Sequence, residues 1–163
     1  MTYRAPIHDM LLSLNHGAGL QAALSAGHYG DFDGELATAV LEEAGRFATD
    51  VLAPLNHVGD KKGIQLENGG VTTAPGWADA YKRWTAAGWN AVSGPEAFGG
   101  QGLPTAINAA CSEIWSAANM SFGLCPMLTL SAIEALHAHG SEELKKIYLE
   151  KLVSGDWTGT MQL

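Results

Sequence analysis

The chain has 163 residues, with 9 Lys and Arg against 17 Asp and Glu, which gives a formal net charge of -8. Hydrophobic residues make up 47% and charged residues 16%, a composition that excludes a disordered chain. The acidic balance, with basic pairs only at Lys61-Lys62, Lys82-Arg83 and Lys145-Lys146, argues against a nucleic-acid-binding face, which needs clustered Lys and Arg. We therefore expect one globular domain of ordinary size, without a nucleic-acid partner.

The first strong helical pattern lies between residues 33 and 52. Apolar residues recur there on one helical face, at Leu36, Val40, Phe47 and Val51. Asp33 is suited to cap this helix, and Pro54 is expected to close it because proline clashes with the turn before it. A short hairpin is predicted next around Asn68-Gly69, with Ile64, Leu66, Val71 and Thr73 alternating beside the turn.

A second helix is predicted from Pro75 to Ala87, with Gly88 beyond its end. Trp77, Tyr81 and Trp84 are three and four residues apart, so they form one stripe. We favour packing of this stripe in the core over a role in stacking on a ligand. Residues 91–104 follow and are too rich in Gly and Pro to be helical.

Three helices are predicted in the last third of the chain. The first starts at Pro104 and directs four small or apolar residues inward: Ile107, Cys111, Ile114 and Ala118. The second follows Asn119, ends at Gly140, and is expected to be buried on nearly all sides because it is so apolar. Ser141 is suited to cap the third, whose apolar face is expected to hold Leu144, Ile147, Tyr148 and Leu152. The end of the chain, from Trp157 to Leu163, is rich in β-formers and predicts the start of a strand.

The sequence also indicates the cellular compartment of the protein. Cys111 and Cys125 are too few for a disulfide framework, so we expect buried free thiols in a reducing compartment. The N-terminus has no long apolar run after Arg4, which argues against a signal peptide. No stretch approaches the roughly 18 to 20 apolar residues of a spanning helix. We therefore expect a cytoplasmic protein that does not enter a membrane.

Motifs for self-sufficient catalysis are weak. His137 and His139 point to different faces of a helix, which disfavours a shared metal ion, and no metal site is predicted. The glycine string that begins at Gly17 has no strand before it, and the loop at 99–102 lacks the phosphate-binding lysine of a P-loop. Glu42-Glu43 and Glu142-Glu143 are expected to be solvated. The sequence thus predicts no catalytic residue within the chain.

Local strings nevertheless resemble a known family. The sequence A-P-L-N at 53–56 is followed by G-W at 88–89, by P-E-A-F-G-G-Q-G-L-P at 95–104, and by H-G-S-E-E-L-K-K-I-Y-L from residue 139. With G-D-W-T-G-T-M at 155–161, these strings resemble the N-terminal helical domain of acyl-CoA dehydrogenases. The opening Y-x-A-P-x-x-D at 3–9 is similar to a large bacterial branch of that family.

The resemblance implies an all-α fold, a helical bundle with a short hairpin and, at its C-terminus, the first strand of a β-domain. It divides the chain into an N-terminal extension at 1–30, the helical domain at 31–156 and the truncated start of the β-domain at 157–163. We accordingly expect part of a longer enzyme.

The resemblance also implies FAD as cofactor, an acyl-CoA as substrate, and α,β-desaturation of the thioester as the reaction. Met161, Gln162 and Leu163 would lie against the flavin. Four residues would begin the wall of the acyl pocket: Gly123, Leu124, Met127 and Leu128. Packing in an ordinary core is the competing interpretation of each of these four. Pro126 is expected to kink or start their helix.

In that family the catalytic base is a carboxylate of a C-terminal helical domain that this chain does not contain. An electron-transfer flavoprotein or a similar acceptor and a homo-oligomeric assembly are further implied. The alternative is a non-catalytic helical interaction module that kept the fold without the chemistry. A DNA-protective relative of the family is a third possibility, which the acidic sequence does not favour.

Overall fold

The computed structural model describes residues 3–160. Within them, helices alternate with short turns, and the bounds are as follows: α1 Ile7–Leu12, α2 Leu20–Ser25, α3 Gly34–Phe47, α4 Ala53–Lys62, β1 Gln65–Glu67, β2 Gly70–Thr72, α5 Trp77–Ala86, α6 Thr105–His139 and α7 Glu142–Ser154. The π-helical turns Ser13–Gly17 and Ala48–Leu52 follow α1 and α3, and single 3-10 turns lie at Trp89–Ala91 and Glu96–Phe98. The described residues are thus mainly helical, which confirms the predicted fold class.

Local signals placed several element boundaries correctly. The Asp33 carboxylate accepts a hydrogen bond from the backbone N–H of Leu36 at 2.8 Å, and Ser141 Oγ accepts one from Leu144 at 3.3 Å, so both predicted caps are confirmed. In the hairpin, Leu66 pairs with Val71. Asn68 and Gly69 take φ values of 52° and 77° between the strands, as a two-residue turn of this type requires.

Pro54 does not end a helix, so that prediction was wrong. The backbone continues through the π-helical turn Ala48–Leu52 directly into α4, where Pro54 occupies the first turn. Proline has no backbone N–H, but the first turn of a helix does not need one because its N–H groups have no partner within the helix. The wider π-helical turn before Pro54 also leaves space for the proline ring. The chain thus bends between α3 and α4 without leaving the helical region.

The main core is formed where α3, α5 and the first half of α6 meet. Its largest fully buried side chains include Leu41, Leu52, Trp84, Ile107 and Ile114. The predicted inward positions of α6 are confirmed, since each is at most 5% exposed. The aromatic stripe packs there as expected: Trp84 is 1% exposed and lies edge-on to Trp115, with ring centroids 4.2 Å apart.

The segment before residue 31 joins this same core. Met10, Leu14 and Leu20 are each at most 8% exposed and belong to the cluster that holds Leu41 and Trp84. The N-terminal segment therefore packs on the helical domain. The predicted boundary between an N-terminal extension and the helical domain at residues 30 and 31 stays a prediction.

The long helix α6 is broken at Asn119, which has φ -159° and ψ 87°. The break confirms the predicted start of a separate helix after Asn119, whereas Pro126 sits inside the second half and does not start it. By length and composition α6 could cross a membrane, contrary to the sequence-based expectation, although core helices of soluble proteins share this property. The break divides the helix into two halves, and the absence of a membrane partner stays a prediction.

Two burial predictions for the last helices were wrong. The second half of α6 is not buried all round, because Met120, Leu124 and Met127 are 51–65% exposed while Ile133 is 1% exposed. In α7 Leu152 is buried as predicted, together with Leu149 and Val153, but the other three predicted residues, Leu144, Ile147 and Tyr148, are 39–46% exposed. Both helices carry apolar residues on two faces, and only one face of each packs on the rest of the described chain.

Candidate functional site

The exposed face of the second half of α6 carries the residues that the sequence singled out for substrate. Leu124 and Met127 are 51% and 55% exposed, and Gly123 and Leu128 are partly exposed beside them. Residues of one helix face recur at spacings of three and four, so Leu124, Met127 and Leu128 can act together. We refer to Gly123, Leu124, Met127 and Leu128 as the helix wall.

A polar contact fixes the C-terminal segment on this helix. Thr129 Oγ1 donates to the carbonyl oxygen of Cys125 at 2.9 Å and accepts a hydrogen bond from the backbone N–H of Gly159 at 3.1 Å. A Cβ added to Gly159 would lie 2.6 Å from the Cβ of Ala132, so glycine permits this close approach. Thr129 itself is fully buried. The segment is therefore held by the helix that carries the wall.

The residues predicted to contact the flavin come at the end of the chain. Met161, Gln162 and Leu163 lie outside the described residues, and residues 157–160 carry no strand assignment. The strand predicted from Trp157 thus stays a prediction, since a strand needs a partner for its backbone groups. The last part of the described chain nevertheless contacts the second half of α6, next to Leu128. Gly159 therefore lies beside the helix that carries the helix wall.

Cation and aromatic groups surround the start of this segment. Lys151 Nζ lies 4.3 Å from the ring centroid of Trp157, and the ring of Tyr148 lies 5.9 Å from the same ring. Tyr81 Oη donates to the carbonyl oxygen of Gly155 at 2.9 Å, and burial raises the pKa of Tyr81 to about 12. Asn90 Nδ2 donates to the carbonyl oxygen of Leu152 at 2.7 Å. These contacts hold the turn after α7 against α5.

The described residues contain no group of three metal-binding side chains. The acidic pairs make surface contacts instead: Glu43 binds Arg46, and Glu142 binds Lys145 at 3.0 Å. Cys111 is buried as predicted, but Cys125 is exposed, so that prediction was wrong. Cys125 lies on the open side of α6, which nothing in the described chain covers. Partial burial still raises the pKa of its thiol, against a hydrogen bond with Thr129 that lowers it.

The described residues could form one side of a flavin site, but they do not enclose it. The helix wall is apolar, and the backbone N–H of Gly159 beside it is already bonded to Thr129. Such a surface fits one side of a planar ring system or an acyl chain. The described residues by themselves provide no phosphate-binding turn beside it. They thus fit a contribution to a FAD site whose remaining parts come from elsewhere.

Sequence reasoning placed a helix start after Asn119, which the structure confirms, but it missed the side-chain contacts of Asn119 and one cavity. Asn119 is 1% exposed, donates from Nδ2 to the carbonyl oxygen of Leu52 at 3.2 Å and accepts from the N–H of Phe122 at 3.1 Å. An amide within an apolar run, three residues before Phe122, was the available signal for this cap. The other feature is a small cavity behind the helix wall, which only the folded chain reveals.

Comparison with known proteins gives a consistent result. Residues 35–156 match the family described as "Acyl-CoA dehydrogenase, N-terminal domain". The whole chain is 43% identical to 3-methylmercaptopropionyl-CoA dehydrogenase of Ruegeria pomeroyi, of which it covers 28%. It is 28% identical over 165 residues to butyryl-CoA dehydrogenase of Syntrophomonas wolfei, of which it covers 27%. The chain thus spans about a quarter of the length of these relatives.

Solved structures share the fold. The structure described as "FAD complex of PigA" has a TM-score of 0.60 and 25% identity, covering 78% of this chain and 31% of that one. The structure described as "Electron transferring flavoprotein of Acidaminococcus fermentans: Towards a mechanism of flavin-based electron bifurcation" has a TM-score of 0.62. The match to it has 21% sequence identity and covers 79% of this chain and 31% of that one, so it supports the fold alone.

Proposed function

Because the chain belongs to the acyl-CoA dehydrogenase family, we propose that it is the N-terminal helical domain of a flavin-dependent acyl-CoA dehydrogenase. Its part in that enzyme is to supply one wall of the acyl and flavin pocket. The observation that carries this proposal is the contact between Thr129 and Gly159, which holds the chain shortly before the predicted flavin residues on the helix that carries the helix wall.

The proposed reaction is the α,β-desaturation of an acyl-CoA thioester. The α-carbon loses a proton to a carboxylate, and the β-carbon loses a hydride. FAD, when bound, supplies the two-electron acceptor for that hydride. The family resemblance puts the carboxylate in a C-terminal helical domain, so we assign the base to none of the described residues. An electron-transfer flavoprotein or a similar acceptor is the proposed partner, and a homo-oligomer in the cytoplasm is the proposed setting.

The residues of this chain act on the substrate by position and by exclusion of water. Leu124 and Met127 offer apolar side chains to an acyl chain lying along α6. Burial of each methylene of that chain stabilises the complex by about 0.8 kcal/mol. An apolar wall also keeps water from the reacting carbons, which strengthens the electrostatic interactions around them. Thr129 is a positioning residue, because it holds the Gly159 segment against this wall.

A chimera tests the proposal. The chain replaces the corresponding 28% of the Ruegeria pomeroyi enzyme, to which it is 43% identical. We expect the purified chimera to carry flavin, seen in its visible absorbance, and to reduce a dye acceptor when it is given 3-methylmercaptopropionyl-CoA or butyryl-CoA. A folded, monodisperse chimera without flavin or turnover would contradict the proposal. It would favour a non-catalytic interaction module instead.

A matched pair of variants tests the role of Thr129 in the same chimera. Thr129→Val keeps the shape but removes the hydroxyl that Gly159 bonds. Loss of a buried hydrogen bond is worth about 1 to 2 kcal/mol, so we expect flavin affinity to fall about tenfold. Ser131→Ala is the control, because Ser131 Oγ is exposed and bonds only the carbonyl of Met127 at 3.2 Å. Equal flavin affinity in the two variants would show that the Thr129 hydroxyl does not position the flavin site.

A further inference from the structure

The chain turns at Gly155, between α7 and the residues predicted to contact the flavin. Gly155 has φ 81°, and a Cβ on it would lie 2.5 Å from Cγ2 of Thr85 on α5, so the turn requires glycine. The N–H of Trp157 donates to the carbonyl oxygen of Lys151 at 3.0 Å, which closes the turn on α7 itself. Such a local bond shapes the turn but does not hold it against another element.

Tyr81 of α5 supplies a link to another element. Its Oη donates a hydrogen bond to the carbonyl oxygen of Gly155 at 2.9 Å. Its ring packs on Phe122, with ring centroids 6.5 Å apart, at the start of the second half of α6. Burial raises the pKa of Tyr81 to about 12, so the hydroxyl keeps its proton and remains a donor at neutral pH. One side chain thus contacts both the turn and the helix that carries the helix wall.

Thr129 holds the same segment farther along, because its Oγ1 accepts a hydrogen bond from the N–H of Gly159. From these two contacts we infer that Tyr81 is a positioning residue for the flavin site, which fixes the course of residues 155–159 between the turn and Thr129. The inference rests on the proposed function, in which the flavin residues begin at Met161, two positions after Gly159. A ligand binds less tightly where the backbone that contacts it must first be ordered. Loss of the Tyr81 hydroxyl should therefore weaken flavin binding.

Tyr81→Phe tests this role in the chimera, because it keeps the ring and removes only the hydroxyl. We expect the flavin dissociation constant, measured by fluorescence titration, to rise about fivefold, as for the loss of one hydrogen bond. Tyr29→Phe is the matched control, since it makes the same change at a tyrosine that is 39% exposed and precedes α3. Its dissociation constant should equal that of the unmodified chimera. Equal constants in the two variants would overturn the role of Tyr81.

A second control separates a loss of position from a general loss of stability. Ile107→Val removes one methyl group from a core residue that is 0% exposed, and we expect it to destabilise the fold about as much as the loss of a hydrogen bond does. The thermal midpoint should then fall in both Ile107→Val and Tyr81→Phe, while flavin affinity falls only in Tyr81→Phe. An equal loss of flavin affinity in both would assign the effect to stability and overturn the positioning role.

The last test needs no flavin. In the chain itself the N–H of Gly159 is protected from hydrogen exchange while it bonds Thr129, and NMR measures its exchange rate. We expect Tyr81→Phe to raise this rate about fivefold and Tyr29→Phe to leave it unchanged. An unchanged rate in Tyr81→Phe would overturn the positioning role. An unmodified chimera that binds no flavin would instead count against the proposed function, and the exchange rates would then decide alone whether Tyr81 holds the segment.

Discussion

At the scale of single residues, Asn119 determines how the longest helix is divided. Its side chain bonds the carbonyl of Leu52 and the N–H of Phe122, so one amide ends the first half of α6 and caps the second. It also ties this break to the π-helical turn that precedes α4. The position of the helix wall relative to the core therefore depends on one buried amide.

Asn119→Ala is expected to lower the free energy of unfolding by about 2 to 3 kcal/mol. The helix cap contributes about 1 kcal/mol, and the buried carbonyl of Leu52 would lose its side-chain partner. Urea denaturation followed by far-UV circular dichroism measures the change. Asn56→Ala, at an exposed position of α4, should cost less than about 0.5 kcal/mol. A similar cost for both variants would show that the Asn119 contacts contribute little.

The buried thiol of Cys111 should make the free energy of unfolding depend on pH above pH 9. Burial raises the pKa of its thiol from 9.0 to about 12. Below pH 9 the thiol is neutral in the folded and unfolded chain alike. Between pH 9 and 12 only the unfolded chain releases the proton, so the free energy of unfolding falls with pH, by up to about 1.4 kcal/mol per unit.

Urea denaturation at a series of pH values checks this dependence. Cys111→Ala should reduce the loss of stability above pH 9 because the titrating group is gone. Cys125→Ala should reduce it less, since Cys125 is exposed. Tyr81, whose pKa is also raised, accounts for part of the slope that remains. An unchanged slope in Cys111→Ala would assign the alkaline loss to other groups.

At the scale of elements, the two halves of α6 differ in burial and should differ in local stability. Ile107, Cys111 and Ile114 of the first half are at most 1% exposed, whereas Leu124 and Met127 of the second are half-exposed. Few buried contacts lower the free energy of local opening. We expect amide hydrogen exchange, followed by mass spectrometry, to be at least tenfold faster over 120–139 than over 107–118. In the chimera the second half should gain protection, and equal exchange of the halves in the isolated chain would contradict this interpretation.

Elements fixed by neighbouring residues were predictable from the sequence. The caps at Asp33 and Ser141 and the turn at Asn68-Gly69 each depend on contacts within four residues, so the local pattern sufficed. The family motifs carried the fold class further than composition or periodicity could. They also pointed to the wall residues, which the structure places on an open face of α6.

Features decided by tertiary packing were not predictable in this way. Pro54 is compatible with a helix end and with a first turn, and the π-helical turn before it settled the choice. In α7 apolar residues cover two faces, so periodicity could not tell Leu149 and Val153 from Ile147 and Tyr148. The cavity behind Met127 needs residues 84 to 130 to meet in space, which no local pattern encodes.

At the scale of the whole molecule, apolar side chains remain exposed on more than one element. Leu124 and Met127 of α6, Ile147 of α7 and Trp157 are each at least 41% exposed. Exposed apolar side chains that share one helix face, as Leu124 and Met127 do, mark a contact site. The chain spans about a quarter of its relatives' length, so the proposed occupants of this surface are the remaining domains of the enzyme, its flavin and its substrate.

An isolated chain with this surface should associate with itself at high concentration, through apolar contacts on the second half of α6. Leu124→Lys adds a charge in the middle of the helix wall and should weaken this association at least tenfold, measured by sedimentation equilibrium. Leu12→Lys is the control, because Leu12 is 55% exposed but lies on α1. Equal weakening by both lysines would mean that net charge, rather than the wall, controls association. The chimera should not show the effect of Leu124→Lys on association, since its remaining domains cover the wall. There the same substitution should instead reduce turnover, which would connect the apolar face of the isolated chain to its proposed place in the enzyme.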